Sequence, residues 1–190
     1  LCAEALTQSP KYKPLFMLPP SLDPPRPNNQ GAYDNPYRPS EVIIPPYLPY
    51  SPEMRDDIAD YYNEVTRFDT HVGAVLNLLR EEKELTNTLI IVMTDNGRPF
   101  AQCKTRVNTQ GIKSPFIVFY PHIVRKGGVT SSLASAVDIA PTLLEIADAK
   151  RSPGLQGISL LPILNNPDTE VREFAFAEHN WHAFKAYERA

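Results

Sequence analysis

Hydrophobic positions divide this chain into stretches of different period. Apolar residues recur at Met54, Ile58, Tyr61, Val65, Phe68, Val72, Leu76 and Leu79, the three-and-four spacing of one buried helix face. Ser51 can cap that run, Pro52 suits the first helical position, and Glu53, Asp56 and Asp57 put negative charge at the positive end of the dipole. Arg80 and Lys83 close it. The pattern predicts a long helix starting at Pro52, with His71 near its buried face as a satisfied core residue. Two unbroken apolar runs follow, Thr88–Thr94 (TLIIVMT) and Pro115–Tyr120 (PFIVFY), which read as strands covered on both faces. Ala136–Ala149 reads as a second helix, with Asp138 near its cap and Pro141 in its first turn. Gly154–Leu164 reads as a loop with a short helical end, and Tyr12–Leu18 and Phe174–Ala177 as two more short strands. Helices alternating with fully apolar strands predict an α/β sandwich, a mostly parallel central sheet with helices on both faces.

Composition changes this picture in one place. Of 20 prolines, set against only 8 glycines, most precede residue 53. Proline removes a backbone donor and fixes φ, so residues 21–50 are expected to form a long extended loop, with tyrosines that favour a packed wall. A net charge of -3 argues against a polyanion-binding surface, so nucleic acid is not an expected partner. No stretch approaches the roughly 20 apolar residues of a membrane span. Cys2 and Cys103 are expected to be free thiols and not a disulfide scaffold. The chain opens on Leu1 with no basic-then-apolar leader, and is expected to begin within something larger.

Three groups of residues could carry chemistry. Asp95 and Asn96 stand at the carboxyl end of the TLIIVMT run, where ligands bind in open α/β sheets. A carboxylate and an amide carbonyl are hard oxygen donors suited to Ca²⁺ or Mg²⁺, although Asp-Asn-Gly is also ordinary turn chemistry. Lys104, Arg106 and Lys113 form a basic cluster just downstream that could hold an anionic ester against such an ion, or simply be solvated loop residues. Glu178, His179, Trp181 and His182 read as pocket lining, without any zinc-helix spacing, or one or both histidines as structural residues.

Together these stretches resemble the sulfatase family of the alkaline phosphatase superfamily. The resemblance runs in order through DIADYYNEVTRFDTHVGAVLNLL, NTLIIVMTDNG, CKTRVNTQGIKSPFIVFYP, SSLASAVDIAPTLLEIADA and GISLLPIL. The spacing TDNGRPFAQCK and the later EHNWH are most similar to the sulfamidase-like branch, which acts on N-sulfated or related sugars. The resemblance implies an alkaline-phosphatase-like sandwich truncated at both ends. Residues 1–190 would be the C-terminal part of the catalytic domain, and residues 165–190 would start the small C-terminal subdomain. It implies Ca²⁺ or Mg²⁺ held by Asp95 and Asn96 with two aspartates from elsewhere. It also implies a sulfate contact from Lys104, with His179 and His182 as further substrate-binding candidates, and a formylglycine nucleophile made within a C/S-x-P-S-R motif.

That motif is absent from the 190 residues, so no catalytic nucleophile is assigned. Where the family tends to carry His-Asp-Pro-His-Arg, this chain has Leu22-Asp23-Pro24-Pro25-Arg26. The expectation is therefore part of a sulfatase hydrolysing sulfate esters or N-sulfates of sugars, inactive alone, and completed by a missing N-terminal half. By resemblance the parent is expected to be periplasmic, extracellular or lysosomal. The alternatives are a non-catalytic fragment or pseudo-enzyme, and a phosphoesterase of the same superfamily.

Overall fold

The computed structural model describes residues 2–10, 12–21, 33, 35–124 and 127–179. They fall into two compact units, Leu1–Leu85 with Pro99–Gln102, and Thr86–Arg98 with Cys103–Ala190.

The first unit opens with helix α1 (Cys2–Gln8), which the apolar pattern did not announce. Residues Tyr12–Leu18 then form no strand and are largely exposed. Pro14 and the Pro19-Pro20 pair withhold ladder donors there, and no strand lies beside them among the described residues. Helix α2 spans Pro52–Glu81. Its start is as expected: the Ser51 hydroxyl accepts from the Met54 N–H at 3.2 Å. Hydrogen bonds at this helix start, from its own backbone N–H and from Ser51, hold the Glu53 carboxyl below its usual range.

The buried stripe of α2 departs from the apolar pattern at its middle. Ile58 and Leu79 are buried as expected, but Val65 is 41% exposed and His71 is exposed, while Asn63 and Glu64 are buried. The reason lies in the tyrosine-rich segment. The Tyr37 N–H donates to the Asn63 side-chain carbonyl at 2.8 Å, and the Tyr33 hydroxyl donates to Glu64 at 2.6 Å. Glu64 also pairs with Arg67, and the Tyr37 ring meets Tyr62 edge-on at 5.4 Å. Arg55 donates to the Val42 carbonyl at 3.0 Å and lies over the Tyr50 ring at 4.8 Å. Polar anchors on the helix thus hold parts of a loop that carries few donors of its own, while much of residues 35–50, Tyr50 included, is exposed.

Helix α2 ends on a residue that glycine usually occupies. Lys83 has φ 61°, its N–H donates to Arg80 O at 3.1 Å, and the Glu84 N–H reaches back to Leu79 O at 2.9 Å. This is a Schellman motif with a side chain at the left-handed position. A non-glycine residue there costs about 1–2 kcal/mol, against about 0.5–1 kcal/mol for the extra chain entropy of glycine. Lys83→Gly is therefore expected to raise stability by about 0.5–1 kcal/mol, read as a higher urea midpoint.

The second unit contains strand β1 (Ile90–Met93), a single helical turn α3 (Thr109–Ile112), strand β2 (Phe116–Phe119), and helices α4 (Ile139–Ile146) and α5 (Leu161–Asn165). β1 and β2 pair antiparallel, with Ile90 opposite Phe119 and Met93 opposite Phe116. Among the described residues this is the whole sheet, and this pair does not itself show the mostly parallel central sheet that was expected. The physical reason is the connection. Parallel pairing needs a crossover back to the far end, usually a helix of several turns, and only the four-residue α3 lies between them. Nor are the strands covered on both faces: Ile117 is 61% exposed and β1 is half-buried throughout. Phe174–Ala177 also forms no strand, and Phe176 is 91% exposed. An apolar run reports what a segment can bury, not what lies beside it.

A buried carboxylate organises the rest. Asp138, fully buried, ends the 3-10 turn Ala136–Asp138 that leads into α4. Its carboxylate accepts from the Ser135 N–H at 2.7 Å and the Ile158 N–H at 2.8 Å, and pairs with Arg172. One turn on, the Thr142 hydroxyl donates to Asp138 O at 2.6 Å and accepts from the Leu160 N–H at 2.8 Å. Sequence alone placed Asp138 at a cap; the structure makes the same side chain a tie between the helix start and two later segments.

Candidate functional site

Beyond Met93 the chain leaves the sheet as Thr94-Asp95-Asn96-Gly97. The Thr94 hydroxyl donates to Asn96 O at 3.2 Å, and the Asn96 amide donates to Gly97 O at 2.9 Å. That bond fixes the amide through its nitrogen and leaves the carbonyl oxygen as the available donor atom. Asp95 is exposed and Asn96 half-buried. The turn is held from behind, where the Gly97 N–H donates to Gly111 O at 2.9 Å.

Gly111 sits at a close backbone approach. A Cβ there would lie 2.0 Å from Arg106 O and 2.6 Å from Cys103 O; one on Gly97 would lie 2.2 Å from Gln110 O. The Asn108 side chain accepts from the Gly111 N–H at 3.0 Å. This contact places the segment 103–106 against α3. Cys103 is fully buried and forms no disulfide, its carbonyl accepts from the Arg106 N–H at 3.1 Å, and the Lys104 N–H donates to Arg98 O at 3.0 Å. Thr105, between the two cations, has φ 70°. A β-branched residue in the left-handed region is strained, and such strain persists only where surrounding contacts enforce it.

The result is an open cleft of about 200 Å³ within this unit, lined in part by Asn96, Lys104, Arg106, Glu178 and His179. The structure therefore brings together three expected site residues, Asn96, Lys104 and His179, from stretches far apart in sequence. Asp95 neighbours the cleft through Asn96 without lining it, and Lys113 does not line it. His182, Trp181 and the Leu22–Arg26 stretch lie outside the described residues. In sequence Gly97 was only the end of an Asp-Asn-Gly turn, and Gly111 was not singled out; the close approach at each is visible only once Gln110 and Arg106 are seen against them.

The metal reading can be tested against the donors. Asp95 and Asn96 supply oxygen ligands of the type Ca²⁺ or Mg²⁺ prefers, but such ions take about six or more. Among the described residues no group of three His, Cys, Asp or Glu side chains is arranged to hold a metal. The donor type fits; the number falls short of a site made by these residues alone.

The chain is thus α/β, with an oxygen-donor turn at a strand end and a cleft beside it whose lining includes Lys104 and Arg106. The family model described as Sulfatase matches residues 11–149, and the chain belongs to the sulfatase family. It is similar to human N-sulphoglucosamine sulphohydrolase, with 33% identity over 154 residues, covering 76% of this chain and 31% of that protein. It is also similar to an ulvan-active sulfatase of Formosa agariphila, with 34% identity, covering 66% of this chain and 21% of that one. Two solved structures share the fold. One is of a protein in complex with its substrate D-glucosamine-2-N,6-O-disulfate (TM-score 0.55, 25% identity, covering 74% of this chain and 30% of that one). The other is a phosphonate monoester hydrolase from Silicibacter pomeroyi (TM-score 0.58, 25% identity, covering 72% of this chain and 28% of that one). The chain thus spans about a third or less of the length of these relatives. Among the described residues no helix is long and apolar enough to cross a membrane.

Proposed function

We propose that this chain supplies the anion-binding side of a sulfatase that hydrolyses sulfate esters or N-sulfate groups of sugars. The observation that carries the reading is the convergence of Asn96, Lys104 and His179 on one cleft. Support for a sugar comes from the human relative, named for N-sulphoglucosamine, and from the disulfated glucosamine bound in the structural neighbour.

In this reading each residue has a bounded task. The Lys104 ammonium donates to the sulfate oxygens and offsets their charge as the bond to sulfur breaks. His179 donates a second hydrogen bond to the same anion, with His182 as a further contact. Asp95 and the Asn96 carbonyl would hold a hard divalent cation together with ligands that the described residues do not supply, and the ion would provide Lewis-acid polarisation of a sulfate oxygen. The nucleophile, a formylglycine by resemblance, also lies outside them. No residue of the chain is given the attacking role, and turnover by the chain alone is not expected. The parallel central sheet belongs to the same proposal for the whole protein, as does a periplasmic, extracellular or lysosomal location.

The reading is tested by titrating the folded 190-residue chain with glucosamine N-sulfate and following backbone amide shifts. Saturable shifts confined to residues 94–112 and 178–179 are expected, with affinity about tenfold weaker in Lys104→Ala. A well-folded chain whose amides do not respond to the sugar would refute it. The phosphonate monoester hydrolase neighbour favours one second reading, a phosphoryl ester substrate, since both anions are tetrahedral. Tighter binding of a phosphate monoester than of the matching sulfate would favour that reading.

A further inference from the structure

Left-handed backbone is uncommon at residues other than glycine, because the Cβ crowds the following carbonyl. Among the described residues four non-glycine positions have positive φ: Lys83, Gln102, Thr105 and Asp148. Helix ends account for two of them. Lys83 follows α2 and Asp148 follows α4, where the Asp148 N–H donates to Glu145 O at 3.1 Å and the Ala149 N–H to Leu144 O at 2.8 Å. That is the same Schellman arrangement at both ends. Gln102 and Thr105 end no helix, and in sequence they flank the Cys103-Lys104 pair. Thr105 is the more strained of the two, since it is β-branched.

The surroundings of Thr105 show what enforces its conformation. Residues 103–106 form a turn closed by the Arg106 N–H, which donates to Cys103 O at 3.1 Å. Lys104 is its second residue, outside the left-handed region, and Thr105 its third, at φ 70°. This is the φ pattern of a type II turn, whose third residue is usually glycine or asparagine. Both ends of the turn are packed from behind. Cys103 is fully buried, and a Cβ on Gly111 would lie 2.6 Å from Cys103 O and 2.0 Å from Arg106 O. The Lys104 N–H is tied as well, donating to Arg98 O at 3.0 Å. Lys104 itself stands at the tip, exposed and lining the cleft.

With its ends held, the turn has one costly dihedral, and strain of this kind persists at sites where geometry serves binding. A return of Thr105 to ordinary φ would open the turn or turn over the peptide joining it to Lys104. Either change alters what the tip offers to the cleft. We infer that Thr105 is a positioning residue: its left-handed backbone holds Lys104 in place for the anion, so that little ordering of the turn is left to be done on binding. This rests on the reading of the cleft as a sulfated-sugar site and adds the residue that sets its lysine.

The test titrates the 190-residue chain with glucosamine N-sulfate, following amide shifts in the native chain and in variants at residue 105. Thr105→Pro denies the left-handed state by fixing φ near -65°, and proline at the third position also disfavours the type I alternative. It is expected to bind about tenfold more weakly, the same loss as Lys104→Ala. The double variant should bind within about twofold of Lys104→Ala alone, because a residue acting through Lys104 has nothing left to position. Thr105→Asn, the conservative change for a left-handed backbone, should bind within about twofold of native and unfold at a higher urea midpoint. Native-like binding by Thr105→Pro, or additive losses in the double variant, would overturn the inference. So would a Thr105→Asn loss as large as that of Thr105→Pro, which would mean that the threonine side chain itself meets the sugar. These three results leave the sulfated-sugar reading intact, whereas failure of the folded native chain to bind overturns both. Should Thr105→Pro lose the native amide spectrum, the backbone order parameter of Lys104 in the native chain decides. A value of about 0.85, as for rigid backbone, is expected, and one below about 0.6 would overturn the inference.

Discussion

Asp138→Ala is expected to destabilise the second unit by about 3–5 kcal/mol, the range for removing one partner of a buried ion pair. Three groups lose their acceptor at once: the Arg172 guanidinium and the Ser135 and Ile158 N–H groups. None can turn to water without opening the turn before α4, because the carboxylate they meet is fully buried. Asp138→Asn separates the contributions, since the amide oxygen can still accept from a backbone N–H while the charge is gone. It should cost less than the alanine change. Adding Arg172→Met to Asp138→Ala should recover the part due to the orphaned cation but not the part due to the two N–H groups. Urea unfolding of the native chain, Asp138→Ala, Arg172→Met and the double variant gives the cycle, with Asp138→Asn measured beside it. A loss below about 1 kcal/mol for Asp138→Ala would mean that water replaces the carboxylate and that the tie is not structural.

How far sequence carried the fold can be judged on particular residues. The start of α2 was legible because capping is local: Ser51, Pro52 and Glu53 act within one turn, and the structure puts the helix start at Pro52. The two central strands were legible too, with β1 and β2 inside the predicted apolar runs. Their direction was not. Alternation and apolarity report faces, whereas pairing depends on the connection, and the connection here contains one helical turn instead of a crossover. Asn63 and Glu64 show a different failure. A period-based reading assigns polar residues to solvent, and these two are buried because backbone and hydroxyl donors of the tyrosine-rich loop need acceptors. That need arises only in three dimensions.

The candidate site divides the same way. Asp95, Asn96 and Lys104 could be picked out because residue type and strand-end position are sequence properties, and the family resemblance sharpened them. That His179 joins Asn96 and Lys104 on one cleft is a property of the folded chain. So is the strain at Thr105, whose identity gives no hint of a left-handed backbone. Arg106, which sequence left undistinguished among three basic residues, gains meaning from sharing that cleft while Lys113 does not.

Gly111→Ala should show how tightly the site is built, and its sign is decided by comparison with Gly73→Ala. Both glycines lie in helices, where alanine is intrinsically favoured by about 1 kcal/mol. At Gly73, inside α2, a Cβ would meet nothing within 4 Å, so that substitution should stabilise by about the full propensity gain. At Gly111 a Cβ would lie 2.0 Å from Arg106 O and 2.6 Å from Cys103 O, both backbone atoms that cannot rotate away. The segment carrying Lys104 and Arg106 must then move off α3, giving up the hydrogen bond from Gly97 to Gly111 as well. Overpacking of this kind costs about 1–3 kcal/mol and can exceed it, which outweighs the propensity gain. The variant is therefore expected to be less stable, by about 1 kcal/mol or more after that offset, and to lose sulfated-sugar binding even where it remains folded. The same chemical change thus raises the urea midpoint at one glycine and lowers it at the other. A Gly111→Ala protein as stable as native with unaltered sugar affinity would mean that the close approach does not hold the cleft in place.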